Sequence, residues 1–218
     1  VTLQDKLKEK DVPAEVSSLE FVRDLVTAVP TSANVKYYAE MIGRMAPEAI
    51  LLVVTNPVDI MTTVALKYSR LMPNRVFGLG THLDSMRLKA CLAEFFNVHV
   101  SEVHTRIVGE HGNSMVPMWS ATTVGGISID NLMDAGNIDR EGLLDRVKNS
   151  GSYIIKSKGA TVYGPGDAVA SLIRTIVEDE NRLLTVSCTD SYGNVKHSPV
   201  ANNTALFDNQ KCNGSNLY

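Results

Sequence analysis

The sequence predicts an α/β chain: a truncated parallel sheet over residues 1–80, followed by a mixed α+β lobe over residues 81–218. Three observations carry this reading. Ala49 to Thr55, AILLVVT, is a continuous apolar run with the length and β-branched content of a parallel strand covered on both faces. Helical patterns flank that run on both sides. Past Pro117 the pattern changes to β-branched residues around paired glycines, SATTVGGISI, as in an antiparallel hairpin. With 218 residues, 44% hydrophobic and 21% charged, the chain can build one sizeable core or two small lobes.

In order along the chain, QDKLKEKD near the start reads as a solvated helix face or a disordered end. FVRDLVTAVP, residues 21–30, has an apolar stretch suited to a buried strand. From Ala33 to Met45, the stripe Val35, Tyr38, Met41, Ile42 and Met45 recurs at helical spacing and would pack on a sheet, and Pro47 marks the exit. Asn56 and Pro57 end the AILLVVT strand before a helix over Val58–Leu71. RVFGL, residues 75–79, gives a second short strand, with Gly78 and Gly80 allowing close backbone approach. The next helix carries Leu83, Met86, Leu88 and Leu92, with Phe95 or Phe96, and a β-branched strand follows from Val103 to Val108. Asp139 to Lys158 is helical in Leu143, Leu144, Val147, Tyr153 and Ile154, widened by Ile155 and interrupted at Gly151. GPG at 164–166 reads as a turn placing Thr161 and Tyr163 ahead of a second helix, and RLLTVSC as a strand. Beyond Tyr192 the chain is rich in Asn and Ser and receives no role. The helices at Ala33 and at Asp84 carry more apolar surface than one short sheet covers, which predicts a homo-oligomer, dimer or tetramer.

A formal charge of −3, with no basic run interleaved with aromatics, gives no footprint for nucleic acid. No apolar run approaches the ~20 residues that span a bilayer, and VTLQDKLKEK lacks the apolar core of a signal peptide, so the expected location is cytoplasmic, with no membrane partner. Cys91, Cys188 and Cys212 are widely spaced and read as reduced thiols, with Cys91 in a helix core; no metal-ligand spacing appears.

The chemistry concentrates between Gly80 and Trp119. Asp84 and Arg87 are three residues apart on one helix, so both project from nearly one face and can meet one ligand. His111 stands in GEHGNS just past the Val103–Val108 strand, in a tight loop that exposes its imidazole. An imidazole can take a proton from a substrate hydroxyl while a carboxylate on its other nitrogen fixes the tautomer and favours the resulting imidazolium. An arginine offers a planar fork matched to a carboxylate. Together the three describe a site for a small 2-hydroxy or 2-oxo acid. Each has a plainer reading alone: Asp84 and Arg87 as a helix-surface ion pair, His111 as a loop histidine in water. Asn56, at the carboxyl end of a strand, is positioned either for a ligand or to cap the following helix. His82 is a weaker second candidate, and His99, His104 and His197 read as surface or packing residues.

VVTNPVDIM, GLGTHLDSMR and RIVGEHGNSMVP occur in the order and at the spacing of the lactate and malate dehydrogenases, and the chain resembles that family from Asn34 to Ser187. VFGLGTHLDS and VHTRIVGEHGNSMVPMWSATTVGGISI look most like its archaeal-type malate dehydrogenase branch. The resemblance implies an incomplete Rossmann-like parallel sheet plus a mixed α+β substrate domain, and hydride transfer between NAD or NADP and a 2-hydroxy acid, malate/oxaloacetate ahead of lactate/pyruvate. It also implies His111 as acid/base, Asp84 as its partner and Arg87 as the carboxylate clamp. Asn56 and Thr161 would touch substrate, with Val54, Thr55 and Asn56 on the cofactor.

The chain departs from the pattern in three places. Thr31 and Ser32 lead straight into the next helix where the family carries a mobile loop with a second arginine. No GxGxxG or similar glycine run appears, and no strand-end acid pairs with an adenosine ribose, so the nicotinamide-side residues are here without the phosphate-binding half. The alternative function is therefore a non-catalytic binding or structural protein that keeps the dehydrogenase fold. The closing strand pair and long terminal helix of the family are also not expected here.

Overall fold

The computed structural model describes residues 32–189 and 195–200, Thr189 and the last six as backbone. The charged opening, the 21–30 strand reading, Cys212 and the side chain of His197 lie outside the described residues. Helix α1 (Ser32–Met45) leads to strand β1 (Leu51–Val53), helix α2 (Val58–Ser69), strand β2 (Val76–Gly78) and helix α3 (His82–Phe96). β1 and β2 pair in parallel, Leu52 opposite Phe77, as the apolar runs require when helices cover the faces. Both strands are shorter than the runs that encode them.

The second lobe departs from its expected form in three ways. The stretch 103–108 is two strands, β3 (Val103–His104) and β4 (Ile107–Val108), because the chain changes partners at Thr105 and Arg106. β4 pairs with β5 (Val116–Pro117), whereas β3 pairs with β6 (Thr123–Val124), and β6 turns through Gly125 and Gly126 at φ +57° and +81° into β7 (Ile127–Ser128). Helix α4 (Arg140–Lys158) runs without a break through Gly151, capped at its start by Asp139, whose carboxylate accepts from the Gly142 N–H at 2.9 Å. Helix packing outweighs the propensity cost of one glycine, about 1 kcal/mol. GPG is the first turn of helix α5 (Tyr163–Val177) rather than a turn ahead of it; proline is tolerated there because first-turn N–H groups lack intrahelical partners in any case.

Strand β8 (Leu184–Thr189) returns to pair antiparallel with β2, and β9 (Val195–Val200) pairs with β8, giving the sheet order β1-β2-β8-β9. The segment past Tyr192 thus supplies a strand where none was expected, and Pro199 is admitted because β9 is an edge among the described residues. One core lies around this sheet, drawing Val53, Phe77 and Leu83 from the first half and Leu172, Leu184 and Val186 from the last. A second core forms from Leu88, Leu92, Val103, Ile107, Ile129 and Val147. Helix α3 belongs to both, with Cys91 packed at the edge of the second. Its Leu83, Leu88 and Leu92 are buried within the chain, whereas Phe95 near its end stays exposed. Exposed apolar side chains stand also on α1 (Tyr37), α2 (Ile60), α4 (Tyr153) and α5 (Tyr163, Val177).

Candidate active site

Gly80 takes the turn from β2 into α3 at φ +55°, and a Cβ there would lie 2.5 Å from the Ser187 backbone nitrogen, so only glycine lets β8 approach. The first turn of α3 then pins β4 with buried hydroxyls. Thr81 donates to the Ile107 carbonyl at 2.6 Å, and the Ile107 N–H donates to the Ser85 hydroxyl at 2.9 Å. These bonds fix where the loop after β4 begins, and that loop carries His111.

His111 Nδ1 lies 2.5 Å from Asp84 Oδ2, and Arg87 Nη1 lies 3.3 Å from the other oxygen, Oδ1. Asp84 is 1% exposed, in the first turn of α3, where the helix dipole favours negative charge. A carboxylate only accepts, so Nδ1 carries the ring proton and Nε2 keeps its lone pair for a ligand. The hydrogen bond to Asp84 raises the pKa of His111 above its ordinary value; burial opposes this, the charges of Asp84 and Asp59 add to it, and Arg87 works against it. Arg87 spends one N–H on Asp84 and retains donors for a carboxylate. A third tether comes from α2: the His111 backbone N–H donates to Asp59 Oδ2 at 3.0 Å.

These groups line a cleft of about 430 Å³ with Asn56, Thr161, Lys148, Ser152 and Asn113. Val54 and Asn56 follow β1 and Leu79 and Gly80 follow β2, so the cleft opens at the carboxyl ends of both parallel strands. Pro57 is the N-cap of α2, without a side-chain cap bond, and Asn56 is among the residues that line the cleft. Thr55 is not brought in; it lines a separate groove between α1 and β1, which Val54 also touches. His82 is not part of the site either. It is 5% exposed, Nε2 has no hydrogen-bond partner among the described residues, and burial foremost, with Arg182 adding, lowers its pKa to about 4. It borders a second cleft, beside Lys89 and Arg106. Among the described residues no cluster of His, Cys, Asp or Glu could hold a metal, and no helix is long and apolar enough to cross a membrane.

Sequence reasoning missed Asp59, Lys148, Ser152 and Asn113. Asp59 left one trace, a charged residue one place into a helix whose neighbours Val58 and Met61 face the core. Lys148 left none, since KNS reads as an ordinary solvated stretch.

A family model described as the lactate/malate dehydrogenase alpha/beta C-terminal domain matches residues 81–207, and one described as the lactate/malate dehydrogenase NAD binding domain matches residues 24–78. A third, the DnaB-like helicase N terminal domain, matches residues 1–44, of which only 32–44 are described. The malate dehydrogenase of Methanothermobacter marburgensis is 55% identical over 156 residues, covering 69% of this chain and 48% of that protein. The L-2-hydroxycarboxylate dehydrogenase (NAD(P)(+)) of Methanocaldococcus jannaschii is 48% identical over 150 residues, 69% of this chain and 48% of that one. The solved malate dehydrogenase of Salinibacter ruber superposes with a TM-score of 0.71 at 34% identity, covering 78% of this chain and 57% of that structure. The chain spans about half the length of the curated relatives it matches. With more than half of its residues matched by one family model and the site motifs gathered around one cleft, the chain belongs to the lactate/malate dehydrogenase family.

Proposed function

We propose that this chain carries the substrate side and the nicotinamide side of an NAD- or NADP-dependent 2-hydroxy-acid dehydrogenase directed at malate and oxaloacetate. Residues up to 80 serve the dinucleotide and residues from 81 serve the acid. The observation that carries the reading is Asp84 shared between His111 and Arg87 inside one cleft. The residues present fit a nicotinamide: Val54, Leu79 and Leu83 offer an apolar wall beside the Asn56 amide. They do not include a glycine-rich strand-to-helix turn for a pyrophosphate.

When bound, the nicotinamide supplies a hydride acceptor for the oxidised carbinol carbon. Arg87 holds the carboxylate in its planar fork and so sets the hydroxyl relative to His111. Nε2 of His111 takes the hydroxyl proton, and the imidazolium that forms is stabilised through Nδ1 by Asp84. Asn56 and Thr161 complete the polar lining of the pocket. Supporting self-association are the exposed Ile60, Tyr153, Tyr163 and Val177, and the location in this reading is the cytoplasm. The test is His111→Asn, assayed as NADH oxidation by oxaloacetate and by pyruvate. Turnover should fall about 10²- to 10⁴-fold with the fold retained, and unimpaired turnover would overturn the assignment.

A further inference from the structure

We propose that Lys148 is a second cationic contact of this cleft, which selects acids bearing two carboxylates over acids bearing one; the proposal rests on the hydroxy-acid reading above. Its position follows from packing. Val147 is fully buried in the second core with Leu88 and Leu92 of α3, which fixes the rotation of α4, and the next residue, Lys148, lines the same cleft as Arg87 and His111. Lys148 is half-buried, and no carboxylate lies within ion-pair distance of it among the described residues. A partly desolvated ammonium beside a polar pocket, without a counter-charge of its own, is a place for an anion.

Charge counting gives the kind of anion. The lining holds Arg87 and Lys148 against Asp84, whose two oxygens are already engaged by Arg87 and His111. One carboxylate satisfies the Arg87 fork and leaves Lys148 uncompensated; a second carboxylate compensates it. There is also room. Gly151 shares the lining, and a Cβ placed on it would meet nothing within 4 Å, so the wall beside Lys148 stays open to a substituent larger than a methyl group. Ser152, one helical turn on from Lys148, adds a hydroxyl to the same lining. Lysine suits this role because its flexible stem and point charge tolerate variation in where the distal carboxylate arrives, while the fixed Arg87 fork sets the reacting end.

The test is an NMR titration of the full chain with succinate and with butyrate, which share a chain length and differ by one carboxylate. The wild-type chain should bind succinate more tightly. Lys148→Met should weaken succinate about tenfold to a hundredfold, leaving butyrate unchanged, and Lys148→Arg should keep the preference. Arg87→Met should weaken both acids. A succinate preference that survives Lys148→Met, or an equal loss for both acids in that variant, overturns the proposal alone while Arg87→Met still weakens both. Binding of neither acid to the wild-type chain overturns the hydroxy-acid reading and the proposal with it.

Discussion

Asp84→Asn isolates the charge of one carboxylate while preserving its shape. In the wild type, Asp84 is 1% exposed and its oxygens reach His111 at 2.5 Å and Arg87 at 3.3 Å. The asparagine side chain occupies the same volume but replaces a charge-assisted hydrogen bond, worth about 1.5–3 kcal/mol, with a neutral one, worth about 0.5–1.5. The difference, about 1–2 kcal/mol, falls on the protonated imidazole, since that form alone gains from the negative charge. With the His111 side chain 25% exposed, solvent screens little of it. The pKa of His111 should therefore drop, and turnover should fall by about tenfold or more, since the imidazolium formed in the proposed reaction loses its partner. The stability difference between the two proteins has a defined sign. A histidine raised by its partner contributes stability that is fully present below about 6.5 and is lost as pH rises through the raised folded value. The variant should thus be weakest relative to wild type at acidic pH, with the gap closing on the alkaline side. An NMR titration of the ring protons reads the midpoint directly, and urea denaturation across pH reads the stability. An unmoved midpoint in Asp84→Asn would show that the short contact does not govern His111.

Two further expectations concern the frame of the site. Gly80→Ala places a Cβ 2.5 Å from the Ser187 nitrogen and 2.7 Å from the Val186 carbonyl carbon, both backbone, in a left-handed conformation, so urea denaturation should show a loss of about 2 kcal/mol or more; a loss below about 0.5 kcal/mol would mean that β8 does not close on β2 as described. His82 is held neutral, with its pKa lowered from 6.5 to about 4, so the unfolded chain binds its proton first. Stability should decline by about 3 kcal/mol as pH falls from 6.5 to 4 and then level off; His82→Gln should flatten that decline, and an identical acid slope in both proteins would refute the burial argument.

The sequence was legible where a local pattern decides the structure. Leu83, Leu88 and Leu92 announce α3 because its spacing is imposed by burial on one side, and AILLVVT announces β1 because burial on both sides leaves no polar position. Asp84, Arg87 and His111 were nameable because three motifs agreed, although each motif alone suits an ordinary surface. What could not be read depends on contacts between distant segments. The break at Thr105 and Arg106 follows from Met118 and Thr122: the Met118 N–H donates to the Arg106 carbonyl at 2.8 Å, and Thr105 and Thr122 share a hydroxyl contact at 2.8 Å. Nothing within residues 103–108 encodes that. Lys148 is the same case at the site, since its place in the cleft is set by how Val147 packs on α3 rather than by its own neighbours in sequence.

Helix α3 explains how a site can be held firmly on so small a sheet. Leu83, in its first turn, is fixed by the core around the β1-β2-β8 strands, and Leu88 and Leu92, one and two turns later, are fixed by the core of the second lobe. Asp84 and Arg87 lie between these anchors, so neither the rotation nor the axial position of the helix can change without opening one core. The opposing partner is tied just as closely, because Thr81 and Ser85 of the α3 segment hold Ile107, three residues before the His111 loop reaches Glu110. Carboxylate, guanidinium and imidazole are thus positioned from a single rigid element, with Asp59 of α2 fixing the loop backbone from the other side. Preorganisation of this kind is what keeps a 2.5 Å contact between His111 and Asp84 before any ligand arrives, and a cleft with its charges already set spends less of a ligand's binding energy on ordering side chains.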